Sequence, residues 1–141
     1  MQDAKILVDA KILVIEDNRN NLKLYEALFV EEIGVREYRA YASGTMFFRW
    51  LISPNSFIPD LILLDIQLPR EDGYTVLQQI RSHADLQNTK VIAATASVMK
   101  SDMEKIRTSG FDGFIGKPIR VSVFEHQMCQ VLAGEDIWDA H

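Results

Sequence analysis

The sequence predicts a doubly wound α/β fold, in which five parallel strands form a central sheet and five helices cover its two faces. Short apolar runs alternate with longer amphipathic ones along the chain. Strands and helices that alternate in this way form parallel sheets with right-handed crossover connections. The third apolar run, DLILLD at 60–65, is wholly apolar between its two carboxylates. That pattern is typical of a strand that helices cover on both faces.

Each strand-like run is followed by a helix-like segment whose ends carry recognisable signals. Gly34 follows a segment with apolar residues at helical spacing, and glycine commonly ends helices. Ser43 is a candidate N-cap for the next helix, which ends before Pro54. The strand-like runs are 11–15, 35–42, 60–65, 90–95 and 111–116, and the helix-like segments are 18–33, 45–52, 74–83, 98–109 and 121–132.

Composition limits the classes of protein to which the chain can belong. It has 141 residues, of which 48% are hydrophobic and 25% charged, values that suit one soluble domain with one core. Its single cysteine, Cys129, cannot form an internal disulfide, and no apolar run approaches the roughly 20 residues of a membrane span. A net charge of -5 opposes binding to phosphate backbones. We therefore expect a cytoplasmic protein with no membrane span and no nucleic-acid partner.

Polar side chains follow the carboxyl ends of the predicted strands, which is where doubly wound sheets place their binding sites. They are Glu16 and Asp17 after the first strand, Asp65 at the end of the third, Thr95 at the end of the fourth and Lys117 after the fifth. Because these ends lie along one edge of a parallel sheet, we expect three carboxylates, a hydroxyl and an ammonium group to converge there.

The chemistry of that group of side chains favours phosphoryl transfer. Three ionised carboxylates repel one another, and a hard divalent cation with oxygen ligands relieves the repulsion. Mg2+ suits the site because it binds few protein oxygens and keeps positions for water and phosphate oxygens. Asp65 would be the nucleophile, while the metal ion, Lys117 and Thr95 would offset the charge of the transferred group.

Four short motifs together resemble the receiver domain of two-component response regulators. They are IEDN at 15–18, LILLDIQLP at 61–69 with Asp-Gly at 72–73, ATA at 94–96 and KPI at 117–119. Any one of them is a weak signal, but all four stand in order at the expected strand ends. The resemblance covers about residues 11–133 and implies a flavodoxin-like sheet with the strand order 2-1-3-4-5.

The resemblance also implies a role for each residue that matches the family's motifs. Asp65 would be the phosphoacceptor, and Lys117, which precedes a proline in a bond that is usually cis in the family, would assist it. The remaining roles would be metal binding for Glu16, Asp17, Asp65 and the backbone carbonyl of Gln67, switching for Thr95 and Phe114, and tuning of the dephosphorylation rate for the side chains of Gln67 and Ser97. Glu71 departs from the pattern, because many members have an apolar residue before Asp-Gly.

The same resemblance implies the partners. The phosphodonor would be a histidine kinase or a histidine phosphotransfer protein, and the phosphorylated surface would contact a downstream protein or a second copy of the chain. The receiver would not be an enzyme in the ordinary sense, although it assists its own phosphorylation and dephosphorylation. Two alternatives stay open: a receiver excised from a hybrid histidine kinase or a longer regulator, and a degenerate receiver that binds partners without phosphorylation.

Two other classes fit the sequence less well. A haloacid-dehalogenase-type phosphatase would need a second aspartate two residues after the nucleophile, and Gln67 stands there. A nucleotide- or flavin-binding module would need a glycine-rich or hydroxyl-rich phosphate loop after the first strand. The sequence EDNRNN at 16–21 instead offers carboxylates, which repel phosphate in the absence of a metal ion.

The hexapeptide DAKILV occurs twice in succession, at 3–8 and 9–14. Only the second copy leads directly to Glu16 and Asp17, so we expect it to form the first strand. We expect residues 1–10 to be an extension, arising by duplication or by design, that is disordered, prolongs the first strand or pairs with the sheet edge of a neighbouring molecule. Residues 11–133 would be the receiver domain, and 134–141 a frayed acidic tail after Gly134.

Overall fold

The computed structural model describes residues 2–96 and 99–139. Its centre is one parallel sheet in which six strands follow the order β2-β1-β3-β4-β5-β6. The prediction of a flavodoxin-like parallel sheet is confirmed, but the predicted number of five strands and five helices is wrong. The strands are β1 (Lys11–Ile15), β2 (Glu37–Tyr41), β3 (Leu61–Asp65), β4 (Lys90–Thr95), β5 (Gly113–Gly116) and β6 (Ile137–Asp139).

Six α-helices connect or precede these strands within the described ranges. The second helix continues without interruption as a π-helical segment, Ala27–Ile33, and a 3-10 turn, Ala84–Leu86, precedes β4. Among the described residues, no helix combines the length and the apolarity needed to cross a bilayer. The helices are α1 (Gln2–Asp9), α2 (Arg19–Glu26), α3 (Gly44–Leu51), α4 (Gly73–Ser82), α5 (Lys100–Ser109) and α6 (Val121–Leu132).

The first copy of DAKILV forms α1, so the expectation that this copy would be disordered or strand-like is wrong. The helix packs against α6 and against the π-helical segment, and Leu7 is completely buried there. The ladders of β1 with β2 and β3 begin at Lys11 and Ile12, so the first copy lies before the start of the sheet. As a helix, it satisfies most of its backbone groups internally, without a strand partner.

The C-terminal residues form β6, so the expectation of a frayed tail is wrong as far as Asp139. The strand pairs in parallel with β5, from Gly113 opposite Ile137 to Ile115 opposite Asp139. A Cβ atom added at Gly113 would collide with the carbonyl oxygen of Ile137, so glycine permits the close approach. β6 thereby covers the backbone edge that β5 would otherwise expose.

The side chains of the sheet alternate between two apolar layers. Ile12 and Val14 point into the layer built with α1, α2 and α6, whereas Leu13 and Ile15 point into the layer built with α3, α4 and α5. All residues of β3, including Asp65, are buried, as expected for a central strand with helices on both faces. The register aligns Asp65 with Ala94 and Thr95 with Gly116, so that the carboxyl ends of three strands finish together.

Candidate functional site

Three carboxylates meet at the carboxyl end of the sheet. One oxygen from each of Glu16, Asp17 and Asp65 lies within 4.8 Å of the others. Glu16 and Asp65 are almost completely buried, with 1% and 4% of their surface exposed, whereas Asp17 is exposed. Asp17 is therefore the member of the cluster that is accessible to solvent.

Lys117 supplies the positive charge at this cluster. Its Nζ atom lies 2.8 Å from Oε1 of Glu16 and 3.2 Å from Oδ2 of Asp65, and only 14% of its side chain is exposed. The backbone N–H of Lys117 donates to the carbonyl of Thr95 at 2.8 Å, which joins the ends of β4 and β5. The peptide bond between Lys117 and Pro118 is cis. One ammonium group thus partly neutralises two buried carboxylates.

The Glu16 carboxylate is held by neighbours in its own loop as well. The backbone N–H of Asn18 donates to Oε2 at 3.1 Å, and Nδ2 of Asn21 donates to Oε1 at 3.3 Å. Burial raises the pKa of Glu16, the bond from Lys117 opposes that change, and the proximity of Asp65 adds to it. The pKa of Glu16 therefore stays above its ordinary value, which is what a carboxylate crowded by another carboxylate should show.

Asp65 is oriented by the loop that follows it. The backbone N–H of Gln67 donates to Oδ1 of Asp65 at 2.9 Å, while Lys117 contacts the other oxygen. Gln67 and Asp72 form an isolated antiparallel bridge that closes the loop on itself. Asp72 then accepts the N–H of Tyr74 at 3.2 Å and caps α4. Each oxygen of the Asp65 carboxylate consequently has its own donor, which fixes the rotation of the group.

The two residues that the resemblance implies as switches are both buried. Thr95 is the last residue of β4 and has no exposed surface. Phe114 lies in β5 and packs against the ring of Trp138 in β6, with the ring centroids 5.8 Å apart. The structure thus places Thr95 at the cluster's edge of the sheet and Phe114 inside the apolar layer. Ser97, the other residue implied to tune dephosphorylation, lies outside the described residues.

Two supporting residues of this region were not predicted from the sequence. Asn18 caps α2 by accepting the N–H of Asn21 at 3.0 Å, and an Asn placed just before a helical segment is a signal that could have revealed it. Glu71 accepts hydrogen bonds from the first residues of α3, which lie 26 and 27 positions earlier in the chain. No local pattern reveals a contact over that separation.

The donor set fits a hard divalent cation. The three acidic groups offer only oxygen atoms, and the exposed position of Asp17 leaves access for water or a substrate oxygen. No thiol or imidazole belongs to this group of residues, and those ligands are the ones that zinc prefers. A cation that accepts few protein oxygens and keeps several waters therefore suits the cluster best.

Comparisons with known proteins agree with this geometry. The family model described as the response regulator receiver domain matches residues 12–128. The polar-differentiation response regulator DivK of Brucella ovis is 39% identical over 113 residues, which cover 80% of this chain and 88% of the relative. The corresponding protein of Brucella anthropi is 38% identical over the same shares.

Solved structures of similar chains have the same fold. The receiver domain of the sensor histidine kinase PA1611 from Pseudomonas aeruginosa, described with a magnesium ion in its active-site cleft, is 28% identical with a TM-score of 0.74. That alignment covers 90% of this chain and 99% of the other. The phosphorylated cyanobacterial phytochrome response regulator RcpA is 27% identical with a TM-score of 0.70, over 89% and 90% of the two chains. The chain described here therefore belongs to the family of response regulator receiver domains.

Proposed function

We propose that this receiver domain takes a phosphoryl group onto Asp65 in a Mg2+-dependent reaction and then presents an altered surface to a partner. The donor would be the phosphohistidine of a histidine kinase or of a histidine phosphotransfer protein. The observation that carries the proposal is the Asp65 carboxylate, which lies within reach of two other carboxylates and 3.2 Å from Nζ of Lys117. This arrangement combines a nucleophile, a cation site and a fixed positive charge.

The residues of the chain divide the work of the transfer. Asp65 attacks the phosphorus atom, the bond between phosphorus and the donor imidazole breaks, and that imidazole nitrogen keeps the electron pair and is protonated by solvent. Glu16, Asp17, Asp65 and the backbone carbonyl of Gln67 would hold Mg2+, which offsets charge on the phosphoryl oxygens when bound. Lys117 already bridges two carboxylates, so its ammonium group is positioned to contact the incoming group.

The response of the surface would begin at Thr95 and Phe114. The Thr95 carbonyl accepts the Lys117 N–H at 2.8 Å, so a change at the end of β4 reaches β5 directly. Phe114 lies in β5, three residues before Lys117, and is completely buried. We assign the switch to these two residues and the tuning of dephosphorylation to the side chains of Gln67 and Ser97. These assignments are supported by the family membership of the chain.

The remaining proposals concern the context of the domain. We propose that residues 11–133 form the receiver domain, that it acts in the cytoplasm and that its output is contact with a downstream protein or a second copy. The description of the Pseudomonas aeruginosa receiver with magnesium and that of RcpA as phosphorylated support the metal ion and the modification. The domain would not turn over a substrate as an enzyme does. It would assist its own phosphorylation and its own dephosphorylation at Asp65.

The proposal is tested by intact mass measurement after incubation with Mg2+ and acetyl phosphate. We expect one added phosphoryl group on the wild type and none on Asp65→Asn. Asp60→Asn is a matched control, because Asp60 is the exposed carboxylate just before the same strand, where it accepts the Lys11 N–H at 2.8 Å. Asp60→Asn should react like the wild type. A wild type that takes no phosphoryl group, under conditions where a known receiver reacts, would refute the proposal.

A further inference from the structure

The Glu71 carboxylate ties the loop after β3 to the beginning of α3. Its Oε2 atom accepts the backbone N–H of Gly44 at 2.7 Å. Its Oε1 atom accepts the backbone N–H of Thr45 at 3.1 Å and the Thr45 hydroxyl at 2.7 Å. One side chain of the loop therefore makes three hydrogen bonds to a different element of the fold.

The contact is close and the carboxylate is ionised. Burial favours the neutral form of Glu71, but the Thr45 hydroxyl and the two backbone N–H groups outweigh it and lower the pKa. A Cβ atom added at Gly44 would lie 3.1 Å from Oε2 of Glu71 and 2.9 Å from a methyl carbon of Val76 in α4. The start of α3 thus fits against both Glu71 and α4, with no space for a larger residue.

The loop that Glu71 anchors is the one that orients the phosphoacceptor. It covers residues 66–72, beginning directly after Asp65, and its Gln67 N–H donates to Oδ1 of Asp65 at 2.9 Å. The bridge between Gln67 and Asp72 links that donor to the residue next to Glu71. Movement of Glu71 away from α3 would therefore reach the Asp65 carboxylate through a short and continuous set of contacts.

We propose that Glu71 is a positioning residue for the phosphoacceptor. It holds loop 66–72 in place, so that the backbone N–H of Gln67 orients Asp65 and the backbone carbonyl of Gln67 can bind a cation. This inference rests on the proposed function, since Asp65 must be the acceptor for its orientation to matter. Glu71 touches neither the acidic cluster nor Lys117 through any of its hydrogen bonds. It acts through the loop, and its effect should appear in metal affinity and in the rate of phosphorylation.

Three variants separate positioning from a general effect of charge or of helix stability. Glu71→Gln removes the charge and weakens the bonds to Gly44 and Thr45. Thr45→Val keeps the charge of Glu71 but removes the hydroxyl donor. Ser43→Ala is the matched control, because the Ser43 hydroxyl caps the same helix by accepting the Met46 N–H at 3.1 Å, without any bond to loop 66–72.

The measurements are the dissociation constant for Mg2+, the rate of phosphorylation by acetyl phosphate, hydrogen exchange of the Gln67 amide and the thermal midpoint. For Glu71→Gln we expect about tenfold weaker Mg2+ binding and slower phosphorylation, as is typical when a partner outside the ligand shell is removed. Thr45→Val should also weaken Mg2+ binding and slow phosphorylation, but by a smaller factor. The Gln67 amide should exchange faster in Glu71→Gln and in Thr45→Val than in the wild type. Ser43→Ala should lower the thermal midpoint alone.

Two results would overturn the inference. If Glu71→Gln lowers the thermal midpoint as Ser43→Ala does, but leaves Mg2+ affinity and Gln67 exchange unchanged, Glu71 is only a helix cap. If Glu71→Gln weakens Mg2+ binding while Thr45→Val has no effect, the charge and not the position of Glu71 is responsible. A wild type that binds Mg2+ but takes no phosphoryl group refutes the proposed function instead, and the Gln67 exchange rates still decide whether Glu71 holds the loop.

Discussion

Leu7 and Leu13 occupy the same position in two consecutive copies of DAKILV, and both are completely buried, the first in a helix and the second in a strand. They lie in the two different apolar layers, on opposite faces of the sheet. The four residues KILV thus form part of a helix at 5–8 and part of a strand at 11–14. Local propensity cannot account for this difference, which must come from the partners that each copy contacts.

The burial of Leu7 predicts that the first copy stabilises the domain. Leu7→Ala should lower the free energy of unfolding by about 2–4 kcal/mol, because truncation of a buried leucine loses apolar burial and leaves a cavity. Urea denaturation measures the change. Ile6→Ala is the matched control, since Ile6 belongs to the same copy and is 46% exposed, and its effect should be much smaller.

The same variant tests whether α1 takes part in function. At a temperature where Leu7→Ala is still folded, its phosphorylation by acetyl phosphate should equal that of the wild type, because α1 packs on α6 and the π-helical segment and not on the acidic cluster. Removal of residues 3–8 should likewise leave phosphorylation intact. Equal stability of Leu7→Ala and the wild type would contradict the packing of α1 that the structure shows.

The close contact at Gly113 predicts that β6, at the other end of the chain, makes a separate contribution to stability. Gly113→Ala should detach β6, because the added methyl group would meet the Ile137 carbonyl. The indole of Trp138 contacts the Phe114 ring and lies 5.1 Å from the guanidinium carbon of Arg107. Its release into water should shift Trp fluorescence to longer wavelength, and Trp50→Phe in both proteins isolates that signal.

A double-mutant cycle checks that the effect of Gly113→Ala passes through β6. We compare Gly113→Ala in the full chain and in a chain ending at residue 134. If the collision with Ile137 is the cause, the substitution should cost little in the shortened chain. An equal loss of stability in both backgrounds would show that Gly113→Ala damages β5 itself.

The parallel sheet and the clustering at its carboxyl edge could be predicted from the sequence, because both follow from the alternation of strands and helices, whereas the strand order was implied by the resemblance to receiver domains. Asp65 ends a wholly apolar run, and such a run must be central, which brings its last residue to the middle of that edge. The same argument places Glu16, Thr95 and Lys117 nearby. These inferences need only the period of the pattern and the parallel topology.

The chain ends and the bonds of Glu71 could not be predicted, because they depend on contacts between distant residues. The segment IWD at 137–139 is too short to stand out as a strand, and it becomes one because Gly113 lets its backbone approach β5. Asp139 then accepts from Arg120 at 3.0 Å and also from Gln127. In sequence, these residues resemble any acidic tail.

Tyr25 predicts a distinctive loss of stability at alkaline pH. Burial, followed by the charges of Glu16 and Asp65, raises the pKa of its phenol, and the hydroxyl has no hydrogen-bond partner among the described residues. The pKa is higher in the folded protein than in the unfolded chain, where it is near 10. Above about pH 10 the phenol therefore ionises in the unfolded chain but stays neutral in the folded protein. Its contribution to the free energy of unfolding is fully present below about pH 10 and is lost as the pH rises further.

Tyr25→Phe isolates this contribution. It keeps the ring, whose centroid lies 6.2 Å from that of Phe124, and removes the group that ionises on unfolding. Above about pH 10 the unfolding free energy of the variant should fall less steeply than that of the wild type, by about 1.4 kcal/mol per pH unit. Between pH 7 and 9 the difference between the two proteins should be constant. Parallel curves up to pH 12 would contradict the prediction.

The position of Lys117 between two buried carboxylates predicts how the stability of the protein responds to metal ions when this residue is replaced. Lys117→Met leaves Glu16 and Asp65 buried without the cation that now lies 2.8 and 3.2 Å from their oxygens. In EDTA the variant should lose about 3 kcal/mol of stability, because removal of one partner leaves buried charges unpaired. Mg2+ should then raise its thermal midpoint more than that of the wild type, since a dication no longer competes with Lys117 for the two carboxylates. Lys11→Met, at the opposite end of β1, should show neither effect.

Phosphorylation should be lost in Lys117→Met even where Mg2+ restores the stability of the variant. The reason is that the ion replaces the positive charge at the two carboxylates but does not replace the ammonium group that donates to the phosphoryl oxygens. Full phosphorylation of Lys117→Met in Mg2+ would show that the role of Lys117 is structural alone.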